Sequence, residues 1–404
     1  MPFILALFFI KPIAHAAITR YNILAYYIFY GAVMGYDIIR GKELRAFEGC
    51  DFVVRLTSDR KNTKVKILQL TDMQIIDASQ RRTADRLRAD EINAWNPKNF
   101  DAQCGNHIRS LIAQTHPDLI IVTGDIVYGS FDDQGSTFEL FCTLMDSFKI
   151  LWALIFGNHD NESQKGVSWQ CACFEKSEYC LFERGNVSGN SNYSVGIAIE
   201  ETLIRVIHMV DSNGCKNGDD PSIIKEKGIY NDQLRLIESN TALIRRAQNK
   251  TIPAFMAFHI PISCFRAAAI AKNYQTDERE LFSIGVDVPA LDEDFGFKLE
   301  KGNPIEVDDK SFIDFLHSQY IEGVFVGHAH KNCTCIDYEK VKWVFGLKTG
   351  QYDYHTPGQL GGTLITLENE SFCVAHVPSL VHYAPMPSKA KMFNNFFANE
   401  IEDA

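Results

Sequence analysis

Residues 119–128 read LIIVTGDIVY, in which a continuous apolar run ends at Thr123, Gly124 and Asp125. A short apolar run bounded by turn residues is typical of a strand that is buried on both faces of a parallel sheet. An acidic residue directly after such a strand would lie at its carboxyl end, which is where open α/β sheets bind ligands. This stretch therefore predicts an α/β fold with a site at one edge of its sheet.

Similar apolar runs alternate with longer amphipathic segments on both sides of this stretch. The pattern predicts strands over residues 65–70, 119–123, 150–156, 193–199, 202–210, 254–258 and 323–326. It predicts helices over residues 101–115, 137–148 and 231–248, and a closing hairpin from 364–367 and 372–375. Strand–helix–strand order implies parallel pairing with both faces of the sheet covered.

The chain divides into three parts by composition. We predict an apolar N-terminal segment over 1–60, a catalytic domain over 61–385 with an insertion near 268–310, and a tail over 386–404. The first segment contains uncharged stretches and an Ala14-His15-Ala16 sequence of the signal-cleavage form, so it predicts a signal, an anchor or a packed helix. Residues 1–36 favour secretion or membrane association over a cytoplasmic location.

Charge and cysteine content limit the classes of function. The formal net charge of −11 argues against a non-specific nucleic-acid binder, which needs a basic surface. Bound cations would still allow a small phosphorylated substrate. Eleven cysteines leave at least one unpaired, and they are either buried small hydrophobes or, in an exported chain, include a Cys171–Cys180 disulfide.

Five predicted strands end in polar residues of the kinds that bind metals. These residues are Asp72, Asp125, the run Asn158-His159-Asp160, His259, and the pair His328 and His330. Carboxylate, amide oxygen and imidazole suit metals such as Fe, Mn or Zn. Each motif alone is common in turns, but five strand ends in this order predict one metal site at one edge.

The order of the motifs, D-x-x, GD-x-x-Y, GNHD, H-x-P and GHAH, resembles the calcineurin-like metallophosphoesterase superfamily. Within that superfamily the pattern is similar to purple acid phosphatases, and the resemblance covers residues 64–380. It implies a four-layer α/β/β/α sandwich with two divalent or trivalent metal ions (Fe, Mn or Zn) on one edge.

The same resemblance implies a role for each motif residue. Asp125 would bridge both metals, and the remaining ligands would be Asp72 and His330 for the first metal and Asn158, His259 and His328 for the second. His159 would lie beside the substrate as an acid or charge stabiliser, oriented by Asp160.

One position departs from the pattern of many members. They have His two residues after the first Asp, where this chain has Gln74. Purple acid phosphatases also lack that His and use a Tyr three residues after the second Asp, a position that Tyr128 occupies here. Tyr128 is therefore either a ligand to the first metal or an aromatic residue packed under the loop. Gln74 could reach the metal or its water through the amide oxygen.

The sequence thus predicts a phosphate monoester hydrolase that acts through a metal-bridging hydroxide. Three alternatives remain, namely a phosphodiesterase of the same fold, a non-catalytic member that binds a partner, and a membrane-tethered binding protein, the last of which rests only on the apolar N-terminus. The predicted partner is a small phosphorylated substrate, with no nucleic acid and with membrane association through residues 1–36.

Overall fold

The structure is a computed structural model. It describes residues 36–40, 45–57, 64–76, 104–128, 134–160, 163–213, 228–272, 309–330, 332–351, 355, 359–368 and 371–381. Within these ranges, no helix is long and apolar enough to cross a bilayer. The predicted apolar stretches before residue 36 and the tail over 386–404 lie outside the described residues.

The described residues form two mixed β-sheets. The strands of the larger sheet are β1 (Tyr36–Arg40), β2 (Phe52–Leu56), β7 (Tyr193–Ile199), β8 (Thr202–Met209), β9 (Ala254–Ala257), β10 (Ile321–Val326), β11 (Cys335–Tyr338) and β12 (Val341–Phe345). They lie in the order β1-β2-β7-β8-β9-β10-β12-β11. Neighbours from β8 to β12 pair in parallel, so β9 and β10 end at the same edge.

The smaller sheet carries the other three predicted strand ends. Its strands are β3 (Val65–Leu70), β4 (Leu119–Thr123), β5 (Leu151–Ile155), β6 (Cys180–Leu181), β13 (Gly361–Glu368) and β14 (Ser371–Pro378). They lie in the order β14-β13-β3-β4-β5-β6, and β3, β4 and β5 pair in parallel. Their carboxyl ends therefore lie together.

The two sheets pack face to face. Across the interface, the Tyr193 hydroxyl on β7 donates to the Leu154 carbonyl on β5 at 2.6 Å, and Phe255 on β9 packs edge-on against Phe372 on β14. Every residue of β4 and β5 is buried, as strands covered on both faces must be.

Helices cover the outer faces. They are α1 (Asn106–Thr115), α2 (Ser136–Ser147), α3 (Gly166–Lys176), α4 (Asn231–Gln248), α5 (Ser263–Ala271) and α6 (Asp309–Ser318). Helices α1 to α3 pack on the smaller sheet, and α4 to α6 pack on the larger one. Phe138 and Phe141 on α2 and Phe174 on α3 join an aromatic cluster around Trp152 of β5. The predicted four-layer α/β/β/α sandwich is confirmed.

The structure differs from the predicted domain division at one boundary. Strands β1 and β2 precede residue 61 and yet belong to the larger sheet, where β2 pairs in parallel with β7. The partner lies about 140 residues further along the chain, and composition cannot show such a pairing. Of the predicted insertion, residues 268–271 complete α5 and residues 309–310 begin α6, while residues 273–308 lie outside the described part.

Candidate metal centre

The five strand ends that carry the predicted ligands meet where the two sheets face each other. The loop after β3 hydrogen-bonds to the loop after β4 through the Asp72 N–H and the Gly124 carbonyl, at 3.1 Å. The loop after β10 bonds to the loop after β9 through the Gly327 N–H and the His259 carbonyl, also at 3.1 Å. The main-chain N–H of His328 then donates to the Asp72 carboxylate at 3.1 Å and so joins the two sheets.

The acidic and imidazole side chains form two clusters that share one residue. The first cluster consists of Asp72, Asp125 and His330, and the second of Asp125, His259 and His328. Within each cluster the potential ligand atoms lie within 4.8 Å of one another. Asp125 belongs to both, which is the arrangement that a bridging carboxylate requires.

The orientation of the Asp125 carboxylate follows from its hydrogen bonds. Its Oδ1 accepts the main-chain N–H of His159 at 2.9 Å, while Oδ2 lies 3.3 Å from His259 Nε2. Gly157 makes this approach possible, because a Cβ at that position would lie 2.2 Å from Asp125 Oδ1. The glycine of the GNHD motif is thus needed for close packing against the shared carboxylate.

Several residues of the centre have a backbone conformation that is rare for non-glycine residues. Asp72, Gln74, Asp125 and His328 all have positive φ, between 44° and 71°. Such strain persists only where surrounding contacts over-determine it, and it is concentrated at functional sites. The hydrogen bonds between the four loops supply those contacts here.

Asn158 joins the second cluster through its amide oxygen. Its Oδ1 accepts a hydrogen bond from His328 Nδ1 at 2.8 Å and lies 3.2 Å from His259 Nε2. On the other side of the His259 ring, Nδ1 donates to the Thr123 carbonyl at 2.8 Å. This contact directs Nε2 towards the centre, as the outer-shell partner of a ligating histidine does.

Burial and neighbouring charges shift the pKa values of the predicted ligands, some upwards and some downwards. Burial opposes the charged form of Asp125, but the nearby His259 and His159 hold its pKa well below the usual range. Burial likewise opposes the charged form of His259, yet Asp125 raises its pKa to about 9. Burial and the charge of His259 lower the pKa of His328 to about 3, so His328 is a neutral ring with a free electron pair.

The two predicted catalytic residues differ in their surroundings. The His159 ring is half-buried at the rim and packs against Tyr128, with 5.2 Å between ring centroids. Asp160 is buried, and its two oxygens accept the N–H groups of Val127 and Gly157 at 3.0 and 2.7 Å. Burial and the charge of Asp125 raise the Asp160 pKa to about 7. These bonds hold the GNHD turn to the loop after β4, and orientation of the His159 ring by Asp160 stays a prediction.

Gln74 and Tyr128, at the two positions where the chain departs from the pattern of many family members, are both buried. Gln74 Nε2 donates to Asp125 Oδ2 at 3.2 Å, so its amide already contacts the shared carboxylate. The N–H of Tyr128 donates to the Ile75 carbonyl in the loop after β3, and the Tyr128 ring packs against the His159 ring. Its assignment as a metal ligand stays a prediction.

Sequence reasoning missed two buried residues that support the centre. Gln69 on β3 donates through Nε2 to Thr123 Oγ1 at 2.9 Å and to the Val326 carbonyl at 3.0 Å, and so ties both sheets together beneath the loops. Lys348 follows β12 and donates to the Asp72 carbonyl at 2.8 Å. Lys348 and Thr349 follow the apolar Trp343–Phe345 stretch, just as polar residues follow the other strands. This similarity is the sequence signal that could have indicated Lys348.

The donor set fits a pair of metal ions. Carboxylates with a depressed pKa, a neutral imidazole and an amide oxygen converge at this mostly buried edge, and each cluster contains candidate ligands from both sheets. An α/β/β/α sandwich with such a centre at its edge defines the metallophosphoesterase class of fold.

Comparison with known proteins agrees with this class. The calcineurin-like phosphoesterase family profile matches residues 65–332, and the chain belongs to that family. It is 23% identical over 334 residues to Probable inactive purple acid phosphatase 14 of Arabidopsis thaliana, covering 77% of this chain and 76% of that protein. It is also 23% identical over 324 residues to Probable inactive purple acid phosphatase 29 of the same plant, covering 74% and 75% of the two chains.

Solved structures of two phosphatases are similar at lower identity. One is a dimetal phosphatase from Danio rerio, with a TM-score of 0.47 and 10% identity over 79% of this chain and 97% of that one. The other is a purple acid phosphatase from yellow lupin, Lupinus luteus, with a TM-score of 0.40 and 13% identity over 79% and 52%.

Proposed function

We propose that this protein is a two-metal hydrolase of a small phosphate monoester. The observation that carries the proposal is the pair of clusters that share Asp125. Family membership supports phosphoester hydrolysis as the reaction class. Monoester specificity is the finer part of the proposal and comes from the purple acid phosphatase pattern of the motifs.

Most side chains of the centre would bind the metals, and one would donate a proton or stabilise charge. Two cations, when bound, would neutralise the charge of the ester and lower the pKa of a water molecule. The first would be held by Asp72, Asp125 and His330, and the second by Asp125, Asn158, His259 and His328. The Thr123 carbonyl keeps the His259 ring in the orientation that ligation needs.

His159 is the residue placed to act on the substrate itself. Its ring lies at the half-exposed rim, while its main-chain N–H is bonded to the shared carboxylate and fixes its position. A protonated ring there would stabilise the charge that develops on the phosphoryl oxygens or donate a proton to the leaving alkoxide. Asp160 would contribute by holding the turn that carries it.

A non-catalytic, partner-binding protein is the second candidate. The relatives from Arabidopsis are named probable inactive phosphatases, and Gln74 donates to Asp125 where many family members offer a metal-binding His. Against this candidate, the Asp, Asn and His side chains of all five motifs are present and converge.

Hydrolysis assays separate these candidates. Metal-depleted protein is reloaded with Mn²⁺ or iron and given p-nitrophenyl phosphate and bis-p-nitrophenyl phosphate in parallel. We expect faster release of nitrophenol from the monoester, lost in Asp125→Asn and retained in Asp337→Asn, an exposed control on β11. Faster turnover of the diester would support the phosphodiesterase, and bound metal without turnover of either ester would support the partner-binding protein.

A further inference from the structure

Six motifs of the form Asn-x-Ser/Thr, the acceptor sequence for N-linked glycans, take no part in the metal centre. They begin at Asn161, Asn186, Asn192, Asn249, Asn332 and Asn369. Such short motifs also arise by chance, so the surroundings of each asparagine decide whether a folded chain can carry a sugar there. The structure describes four of the six asparagines. Asn186 and Asn249 are exposed, whereas Asn192 and Asn332 are each only 3% exposed.

Asn192 is closed to modification by its hydrogen bonds. Its Nδ2 donates to the Ser188 carbonyl at 2.9 Å, and its Oδ1 accepts the Asp211 N–H at 3.1 Å and Gln233 Nε2 at 2.7 Å. A glycan replaces one hydrogen of Nδ2 with a sugar, for which the protein around a buried side chain leaves no room. Displacing the side chain would leave several buried polar groups without partners, which opposes folding.

Asn332 is buried in the loop that follows His330. Its Oδ1 accepts both the N–H and the hydroxyl of Thr334, at 2.9 and 2.8 Å. The asparagine and the hydroxyl residue of this motif therefore bond to each other, and Thr334 is buried as well. A chain that carried a glycan on Asn332 could not form this loop.

Asn249 has the opposite surroundings. It is the exposed C-cap residue of α4, with φ 50° and ψ 29°, a left-handed conformation that Asn tolerates. Thr251, the hydroxyl residue of the motif, is exposed too. Within the part of the chain that the structure describes, neither side chain has a hydrogen-bond partner. A sugar on Asn249 would therefore break no side-chain hydrogen bond of the fold.

The position of Asn249 also keeps a glycan away from the metal centre. Asn249 precedes β9 and His259 follows it, so the two residues lie at opposite ends of this strand. Asn186 differs in this respect. It lies in the loop that leads into β7, and the antiparallel pairing of β7 with β8 puts that loop at the same edge as the centre. Asn249 is thus the described acceptor that is both exposed and distant from the substrate.

We propose that Asn249 carries an N-linked glycan and that the folded protein carries none at Asn192 or Asn332. In the transfer, Asn249 Nδ2 forms a bond to C1 of the first sugar of a lipid-pyrophosphate-linked oligosaccharide. The nitrogen loses one proton, and the lipid pyrophosphate leaves with the electron pair of the broken C1–O bond. Because this donor belongs to the secretory pathway, the proposal includes entry of the chain into that pathway, which residues 1–36 favour.

The test uses the full-length chain with its own N-terminus, expressed in a eukaryotic cell that glycosylates proteins. Protein from the medium and from the membrane fraction is treated, in water labelled with heavy oxygen, with the glycosidase that converts a glycosylated Asn into Asp. Mass spectrometry of the peptides then locates the label. We expect the label at position 249 and none at positions 192 and 332.

Two substitutions of Thr251 provide matched controls. Thr251→Ala removes the hydroxyl residue of the motif and leaves Asn249 in place, so the label at position 249 should be lost. Thr251→Ser keeps a hydroxyl there and should retain the label. Both variants should unfold at the same temperature as wild type, because Thr251 is exposed and makes no side-chain hydrogen bond to the described residues.

Three results would overturn the proposal. The first is wild-type protein from the medium or the membrane fraction without label at position 249, and the second is recovery of the whole chain from the cytosol without any glycan. The third is a glycan on Asn192 or Asn332 in protein that still unfolds cooperatively. The hydrolysis assays test the proposed function separately, because none of these results depends on metal binding or turnover.

Discussion

His259 should make metal binding depend on pH by an amount that its surroundings allow us to calculate. Burial opposes its charge, but Asp125 and further neighbours raise the pKa of the ring from 6.5 to about 9. A metal ion binds the neutral form of imidazole, so at any pH below the pKa of His259 metal binding must displace this proton. At pH 7 the ring is two pH units below its pKa, and about one molecule in 100 has it neutral.

The expected effect is a tenfold gain in apparent affinity of the second cluster for each unit of pH, up to about pH 9. His328 adds no such slope above pH 4, because its pKa is lowered to about 3 and the ring is already neutral. The raised pKa of His259 also stabilises the metal-free fold. That contribution is fully present below pH 6.5 and is lost as the pH rises through about 9.

Calorimetry can measure both parts of this prediction. Mn²⁺ is titrated into metal-depleted protein at half-unit steps from pH 6.5 to 9, in pairs of buffers with different ionisation enthalpies, which report the protons released. We expect about one proton released at pH 7 for each metal ion that the second cluster binds. An apparent affinity that does not change over this range, with no proton release, would refute the reasoning about His259 and Asp125.

Four further substitutions test other residues of the centre. Asp125→Asn should lower turnover by orders of magnitude and reduce bound metal, because it removes the charge common to both clusters; near-normal activity would remove the two-metal proposal. His159→Ala should retain metal but slow turnover by about 10²–10⁴-fold, the contribution of general acid catalysis, whereas His328→Ala should lose metal. The reverse pattern would show that these two roles are exchanged. If Tyr128 ligates Fe(III), the iron-loaded protein should absorb visible light through phenolate-to-iron charge transfer, and Tyr128→Phe should be colourless; equal colour in both would make Tyr128 a packing residue.

The local sequence pattern was sufficient to predict several of the strands and helices. The apolar runs at 65–70 and 119–123 are strands with those bounds, and the amphipathic pattern at 231–248 is helix α4. These elements are predictable because their apolar residues recur with a regular period, which is visible within a few neighbouring residues of the sequence. The position of Asp and His directly after such runs likewise predicted which side chains would converge.

Tertiary structure decided what depends on partners distant in the chain. Strand β2 is stabilised by pairing with β7, and Lys342 interrupts the apolar run of β12, so neither was predicted. The orientation of the Gln74 amide depends on Lys348, which lies 274 residues away. The residues of five motifs were therefore sufficient to predict a metal site, but the contacts that hold each predicted ligand arise only where the two sheets pack against each other.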